Sequence, residues 1–304
     1  MLRVKDLHYV LWSLAEQRRR MVMTMNKRTI TQTTITEFDR WLQSEERSAA
    51  TREKYIHGIC TFSAWIKEAW VTKESVVAWK ALLAERYAPS TVNTLLAALN
   101  SFFQFVGWNE YRMGYLKVQH RLFRDPKQEL TKNEYARLIM AARENGKERI
   151  ALLMETICAT GIRVSEVRYI TVQAARCGRA EVSLKGKIRT ILIPNKLCRK
   201  LLKYAKRKKI TCGEIFLTTG GKSINRRQIW AEMKQICKLA GVEADKVFPH
   251  NLRHLFATAY YRVYKDIVKL ADMLGHSSLE TTRIYLLTSG KEHQRQMERL
   301  GLIT

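Results

Sequence analysis

The sequence predicts a mainly α-helical protein with one small β-sheet, arranged as two domains. The first ground is size: 304 residues, 46% of them hydrophobic, can bury a substantial core but are long for one ordinary domain. The second is that apolar residues recur at helical spacing along most of the chain. The third is a single segment near residues 180–193 where the spacing changes to that of strands.

From about 30 to 117 the helical pattern runs through Phe38, Trp41 and Leu42, then Tyr55, Ile59, Phe62 and Ile66, then Leu95, Leu99, Phe102, Phe103 and Val106. Thr51 and Ser90 stand where N-caps are expected, so residues 29–117 read as a small all-helical bundle. The pattern stops over 118–130, where Arg121, Arg124 and Lys127 surround Pro126, which marks an interdomain linker. A second domain, 131–304, opens with Thr131-Lys-Asn-Glu134, a capping box in which the threonine and glutamate each satisfy a free backbone N–H of the other's turn. A helix through Ile150 to Thr160 follows. Residues 180–184 and 188–193, separated by Lys185-Gly186-Lys187, predict a β-hairpin with a basic tip. Further helices are expected over 196–208, 226–240, 251–262, 265–274 and 278–287, with a C-terminal one from about 291. Residues 1–28, with Arg18, Arg19, Arg20, Lys27, Arg28 and three methionines at 21, 23 and 25, read as a basic, loosely ordered arm or as a stretch outside the natural protein.

Charge narrows the partner. Lys and Arg number 54 against 28 Asp and Glu, a formal charge of +26, so the natural partner is a polyanion. An anionic membrane would serve electrostatically, but no apolar run approaches the ~20 residues of a span, and the first 28 residues lack the core of a secretory leader. Nucleic acid is therefore the expected partner, although basicity alone implies no catalysis. Six scattered cysteines without a C-x-x-C pair predict reduced thiols in the cytoplasm.

Three segments carry chemistry. Ala159-Thr-Gly-Ile-Arg163-Val-Ser-Glu166 sets an arginine after a glycine turn, beside backbone N–H groups that suit an anion. Pro249-His250-Asn-Leu-Arg253-His254 puts an imidazole and a guanidinium three apart on one helical face, able to converge on one phosphate. His250 and His254 as a metal pair would need the H-E-x-x-H glutamate and a third ligand, and neither is evident. Leu274-Gly275-His276 places a histidine after a helix-ending glycine, with Tyr285 nine residues on.

In this order, with the basic hairpin between the first two, these segments resemble the tyrosine recombinase (phage-integrase and Xer-like) family, over about 30–304. The resemblance implies an N-terminal helical core-binding (SAM-like) bundle and a mixed α/β catalytic domain, with too few residues ahead of them for a separate arm-binding domain. It implies DNA cleavage and rejoining through a 3′-phosphotyrosyl intermediate, in integration, excision or resolution. By resemblance Arg163 and Arg253 grip the phosphate, Lys185 is the hairpin lysine, and His250 and His276 are the two histidine positions. Tyr285 is the nucleophile, Glu166 the acidic support and His254 a structural histidine. Lys187, two residues from Lys185, exchanges roles with it if the hairpin register shifts.

The chemistry explains the residue types. The phosphoryl transition state gathers negative charge on its oxygens, and arginines supply fixed cations with forked donors. No cofactor is implied: the arginines take the place of magnesium, and the covalent bond conserves the energy that ATP would otherwise supply. Strand exchange between two duplexes implies a homo-tetramer on DNA, with the tail from Lys291 suited to docking on a neighbouring subunit. Arg226 and Arg227, whose charges oppose the dipole in the first turn of their helix, and Lys222 are expected to touch DNA phosphates. Lys206-Arg-Lys-Lys209 reads as a solvated helix end, and Gly220-Gly-Lys-Ser223 as a turn, because the first glycine of a P-loop would fall on Phe216. Rival readings are a type IB topoisomerase-like enzyme and a non-catalytic DNA-binding protein on the same fold. The run Arg283-Ile-Tyr-Leu-Leu resembles mobile-element integrases more than dimer resolvases, but integrase, resolvase and invertase roles all stay open.

Overall fold

The computed structural model describes residues 28–67, 70–118, 128–184, 187–283, 285, 294–295 and 297–300. The chain divides into two compact units, Met1–His120 and Arg121–Thr304.

Among its described residues the first unit has four α-helices, α1 (Gln32–Ser44), α2 (Ala49–Ile66), α3 (Lys73–Arg86) and α4 (Pro89–Phe105). Their inward stripes meet in a core that includes Phe38, Leu42, Ile59, Phe62, Trp79, Leu96, Leu99, Phe102 and Phe103. Aromatic rings meet edge to face there, as at Phe38–Phe102 and Phe62–Trp79. Helices α2 and α4 approach closely because position 58 is glycine: a Cβ there would sit 2.9 Å from that of Ala98. Buried Asn100 gives Met113 both an acceptor and a donor, and Asn93 does the same for Leu116, so two amides hold the extended segment after α4. Two expected caps are corrected. Ser48 caps α2, with Thr51 three residues inside it, because only Ser48 has non-helical backbone angles and accepts the Thr51 N–H. Helix α4 begins at Pro89 with Ala88 as its cap, so Ser90 lies in the first turn, because proline at the first helical position needs no N–H partner. Helix α3 has a narrow buried stripe of Val76, Trp79 and Leu83 beside exposed Val77, a weak periodic signal.

The second unit begins with α5 (Lys132–Glu144), whose Thr131–Glu134 capping box is present. Next come α6 (Glu148–Thr160), a 3₁₀ turn at Val164–Tyr169, α7 (Val172–Cys177) and the antiparallel strands β1 (Arg179–Leu184) and β2 (Lys187–Leu192). The chain then continues through α8 (Asn195–Arg207), α9 (Arg226–Ala240), α10 (Pro249–Tyr264), α11 (Ile267–Leu274) and the short α12 (Leu279–Arg283). Mainly helical with a two-stranded sheet is thus the observed class. Leu138, Leu153, Ile157, Leu201, Phe216, Met233 and Leu252 centre the core. Gly220–Ser223 forms a turn: Leu217 and Ser223 bridge, and the Thr218 N–H bonds the Lys222 carbonyl. All six cysteines are free thiols. Among the described residues no helix is long and apolar enough to cross a membrane. The basic arm over 1–27, Lys185 with Gly186, and most of the linker and tail lie outside the described residues.

Candidate active site

Three turns of the second unit converge. Helix α6 ends at Gly161 with φ +64°, where a Cβ would lie 2.5 Å from the Phe256 ring, so the chain can turn here only with glycine. Arg163 follows in extended conformation and heads the 3₁₀ turn. Its backbone N–H and guanidinium both bond Glu166, at 2.8 and 3.0 Å, and the Glu166 side chain is 1% exposed. The Arg163 side chain is 41% exposed, leaving much of the guanidinium open to an anion.

Helix α10 supplies the second turn. Pro249 starts it, His250 is exposed in its first turn, and Arg253, one turn on, is buried. The Arg253 guanidinium donates to the Gly161 carbonyl at the end of α6, to the Leu274 carbonyl at the end of α11 (2.7 Å) and to His276 Nε2 (2.9 Å). Burial, reinforced by the charge of Arg163, lowers the Arg253 pKa to about 10, so the group stays charged at neutral pH. Buried His254 bonds Thr258 from its own helix.

The third turn is the end of α11, where Gly275 has φ +61° and leads into His276. Arginine has only donors, so His276 Nε2 must accept. Burial, then the charges of Arg253 and Arg163, push the His276 pKa down to about 4, leaving the ring neutral near pH 7. Its proton then sits on Nδ1, which donates to Thr282 Oγ1 at 2.9 Å. Because a hydroxyl both donates and accepts, Thr282 can reverse that bond; Nε2 then carries the proton, gives up its bond from Arg253 and can donate to a phosphate. The folded-state pKa lies below the ordinary ~6.5, so the contribution of this group to stability is present above pH ~6.5 and is lost as pH falls toward 4. In an NMR titration of the DNA-free protein the His276 ring should change shift near pH 4, well below an exposed histidine. A midpoint above 6 would rule out this picture of the ring.

Tyr285 is 3% exposed and packs with Ala257, Leu270 and Leu274. Its ring lies nearly parallel to that of His276 (12°, centroids 5.8 Å apart), 5.0 Å from His254 and 6.1 Å from His250. Its presence partly offsets the lowering of the Arg253 pKa. Arg163, His250, Arg253, His276 and Tyr285 therefore come together; Lys185 lies outside the described residues. A cleft of about 710 Å³ opens beside Arg163, His250 and Arg253, lined also by Arg168, Arg226 and Trp230; His276 and Tyr285 lie outside its lining. Arg226 faces this cleft from the start of α9, whereas Lys222 and Arg227 are exposed outside its lining.

Sequence reading missed Arg189 and Thr282. Along β2, Ile188 and Leu192 are exposed while Ile191 is buried, so strand parity turns Arg189 inward. It pairs there with both oxygens of Glu166 at 3.1 Å and donates to the Met273 carbonyl. Burial lowers its pKa. An arginine of the same parity as Ile191 and Ile193 was the available signal.

Two units, one of them carrying a cluster of arginines, histidines and a tyrosine, suit an enzyme that transfers phosphoryl groups through a tyrosine nucleophile. The phage integrase family model matches residues 128–291, and the N-terminal SAM-like domain of phage integrases matches 35–110. The chain belongs to the phage integrase family and is a site-specific tyrosine recombinase. Among its relatives, tyrosine recombinase XerA of Pyrococcus furiosus is 28% identical, over 92% of this chain and 98% of its own. Tyrosine recombinase XerC of Roseiflexus castenholzii is 32% identical, over 76% and 78%. In fold, a lambda integrase tetramer bound to a Holliday junction is similar with a TM-score of 0.69, at 18% identity over 87% of this chain and 80% of that chain. The XerH recombinase bound to its difH substrate gives 0.64, at 17% identity over 92% and 91%. The topoisomerase-like and non-catalytic alternatives are not favoured.

Proposed function

We propose that the cluster around Tyr285 performs one step of phosphoryl transfer on duplex DNA. The Tyr285 hydroxyl attacks the scissile phosphorus, the bond to the 5′ oxygen breaks, and a 3′-phosphotyrosyl linkage remains. His250, exposed at the cleft rim, takes the tyrosine proton or orients the phosphate, and Lys185 from the hairpin protonates the departing 5′ oxygen. Arg163 and Arg253 balance the charge of the non-bridging oxygens, and His276, once Thr282 reverses its bond, adds a donor. A 5′-hydroxyl from another strand reverses the step and completes exchange.

In this reading residues 29–117 are the core-binding DNA clamp, 118–130 the linker and 131–304 the catalytic domain. Arg226 contacts backbone phosphate from the cleft, with Arg227 and Lys222 beyond it. Four copies assemble on DNA through the C-terminal tail, and the protein acts in the cytoplasm.

The observation that carries the assignment is the packing of Tyr285 against three histidines, one of which, His276, bonds Arg253. The test uses nicked suicide substrates from the DNA surrounding the gene, in which the fragment bearing the 5′-hydroxyl diffuses away and the reverse reaction is lost. A covalent protein–DNA band on a denaturing gel, formed in the presence of a metal chelator, is the expected result. Its absence on DNA that the protein demonstrably binds would sink the catalytic reading.

A further inference from the structure

Arg189 stands outside the roles above, yet it touches two parts of the machinery. The Glu166 carboxylate is shared by Arg163 and Arg189, and it is buried, so its charge is felt at close range. Three successive carbonyls at the C-terminal end of α11 each accept from a different arginine: Met273 from Arg189, Leu274 from Arg253 and Gly275 from Arg163. These are the orphan acceptors and the negative pole of that helix, so cations gather there naturally. Arg189 also lies flat against Gly275, where a Cβ would come within 2.4 Å of its Cδ. The residue after Gly275 is His276.

We propose that Arg189 is a positioning residue for cleavage, which holds the buried Glu166 charge so that Arg163 remains available to the phosphate and which fixes the turn bearing His276. The proposal rests on the phosphate-gripping role assigned to Arg163. Its basis is charge accounting: two guanidinium groups on one carboxylate leave a net positive charge facing the cleft, and Arg163 is the more exposed of the two. Without Arg189, Glu166 is left with Arg163 alone, and the pair is neutral toward an incoming phosphate. A buried carboxylate that has lost one partner holds the other more tightly.

Single-turnover cleavage of a suicide substrate is compared with cleavage of the same DNA carrying a methylphosphonate at the scissile position, which lacks the charge Arg163 is there to balance. Arg189→Met should cleave the phosphodiester about 100-fold more slowly than wild type, with DNA affinity within about threefold, and the deficit should shrink below about tenfold on the methylphosphonate. Adding Glu166→Gln to Arg189→Met should recover about tenfold on the phosphodiester, because a neutral amide no longer claims Arg163. Arg189→Lys keeps the charge and should stay within about tenfold of wild type. Thermal unfolding and DNA binding establish which variants are folded, and if Arg189→Met is not, Arg189→Lys and the double variant carry the comparison. A deficit of equal size on both substrates, or further loss on adding Glu166→Gln, would show a merely structural role. Arg189→Met cleaving like wild type would also overturn the proposal. Failure of wild type itself to cleave the phosphodiester would instead overturn the recombinase chemistry on which it rests.

Discussion

Tyr285→Phe is expected to abolish covalent adduct formation, a loss on the order of 10⁵-fold or more, while DNA affinity stays within about threefold. The basis is that the substitution removes one oxygen and no packing. The ring sits among Ala257, Leu270 and Leu274 and against His254 and His276, and phenylalanine preserves those contacts. Arg253 keeps its acceptors at Gly161, Leu274 and His276, so no buried donor of that guanidinium is orphaned. Binding and catalysis are therefore separable at this one atom. The measurement pairs a denaturing gel of suicide-substrate reactions with a gel-shift titration on the same DNA. An adduct that survives in the phenylalanine variant would place the nucleophile on another tyrosine and dissolve the C-terminal alignment of the site.

The parts of this site that were legible in the sequence are those written in local signals. The glycine turns at 161 and 275 and the Thr131–Glu134 capping box each depend on neighbours within a few residues, and each stands in the structure, whereas the helix expected over 251–262 begins earlier, at Pro249. Helix α9 begins and ends as its Asn225 cap and Gly241 stop dictate. What escaped notice is non-local. The arginine clasp on Met273, Leu274 and Gly275 uses backbone carbonyls, which every residue has, so no residue type announces it. Arg189 falls in the expected strand 188–193 without a role, because a charged residue on a strand reads as solvent-facing unless its parity is counted against Ile191 and Ile193. Thr282 is an ordinary helix residue until His276 arrives from the preceding turn. Trp79 and its helix were passed over for a different reason: a narrow stripe beside an exposed valine gives little periodic contrast.

Arg253→Lys should cost nearly as much as Arg253→Ala, on the order of 10³-fold in cleavage, although it conserves charge. The guanidinium fork meets acceptors on two different turns and a histidine at once, spanning the ends of α6 and α11. An ammonium group is a compact point donor, and whichever acceptor it abandons is left buried without a partner. A loss of about 3 kcal/mol in unfolding free energy is expected for the alanine variant, from the acceptors orphaned when a buried charged partner is removed. The lysine variant should also acquire an alkaline pH dependence beyond that of wild type. Burial already lowers the wild-type arginine to about 10, and the same burial acts on a lysine whose unperturbed value is ~10.4. A cationic acid with a lowered pKa loses its charge as pH rises, so the remaining cleavage of Arg253→Lys should fall on the alkaline side relative to wild type measured at the same pH. Single-turnover rates measured from pH 6 to 9.5, about the range over which a buried lysine titrates, decide the matter. A lysine variant within about tenfold of wild type, with no alkaline limb, would mean that charge alone matters at this position and that the three-acceptor geometry does not.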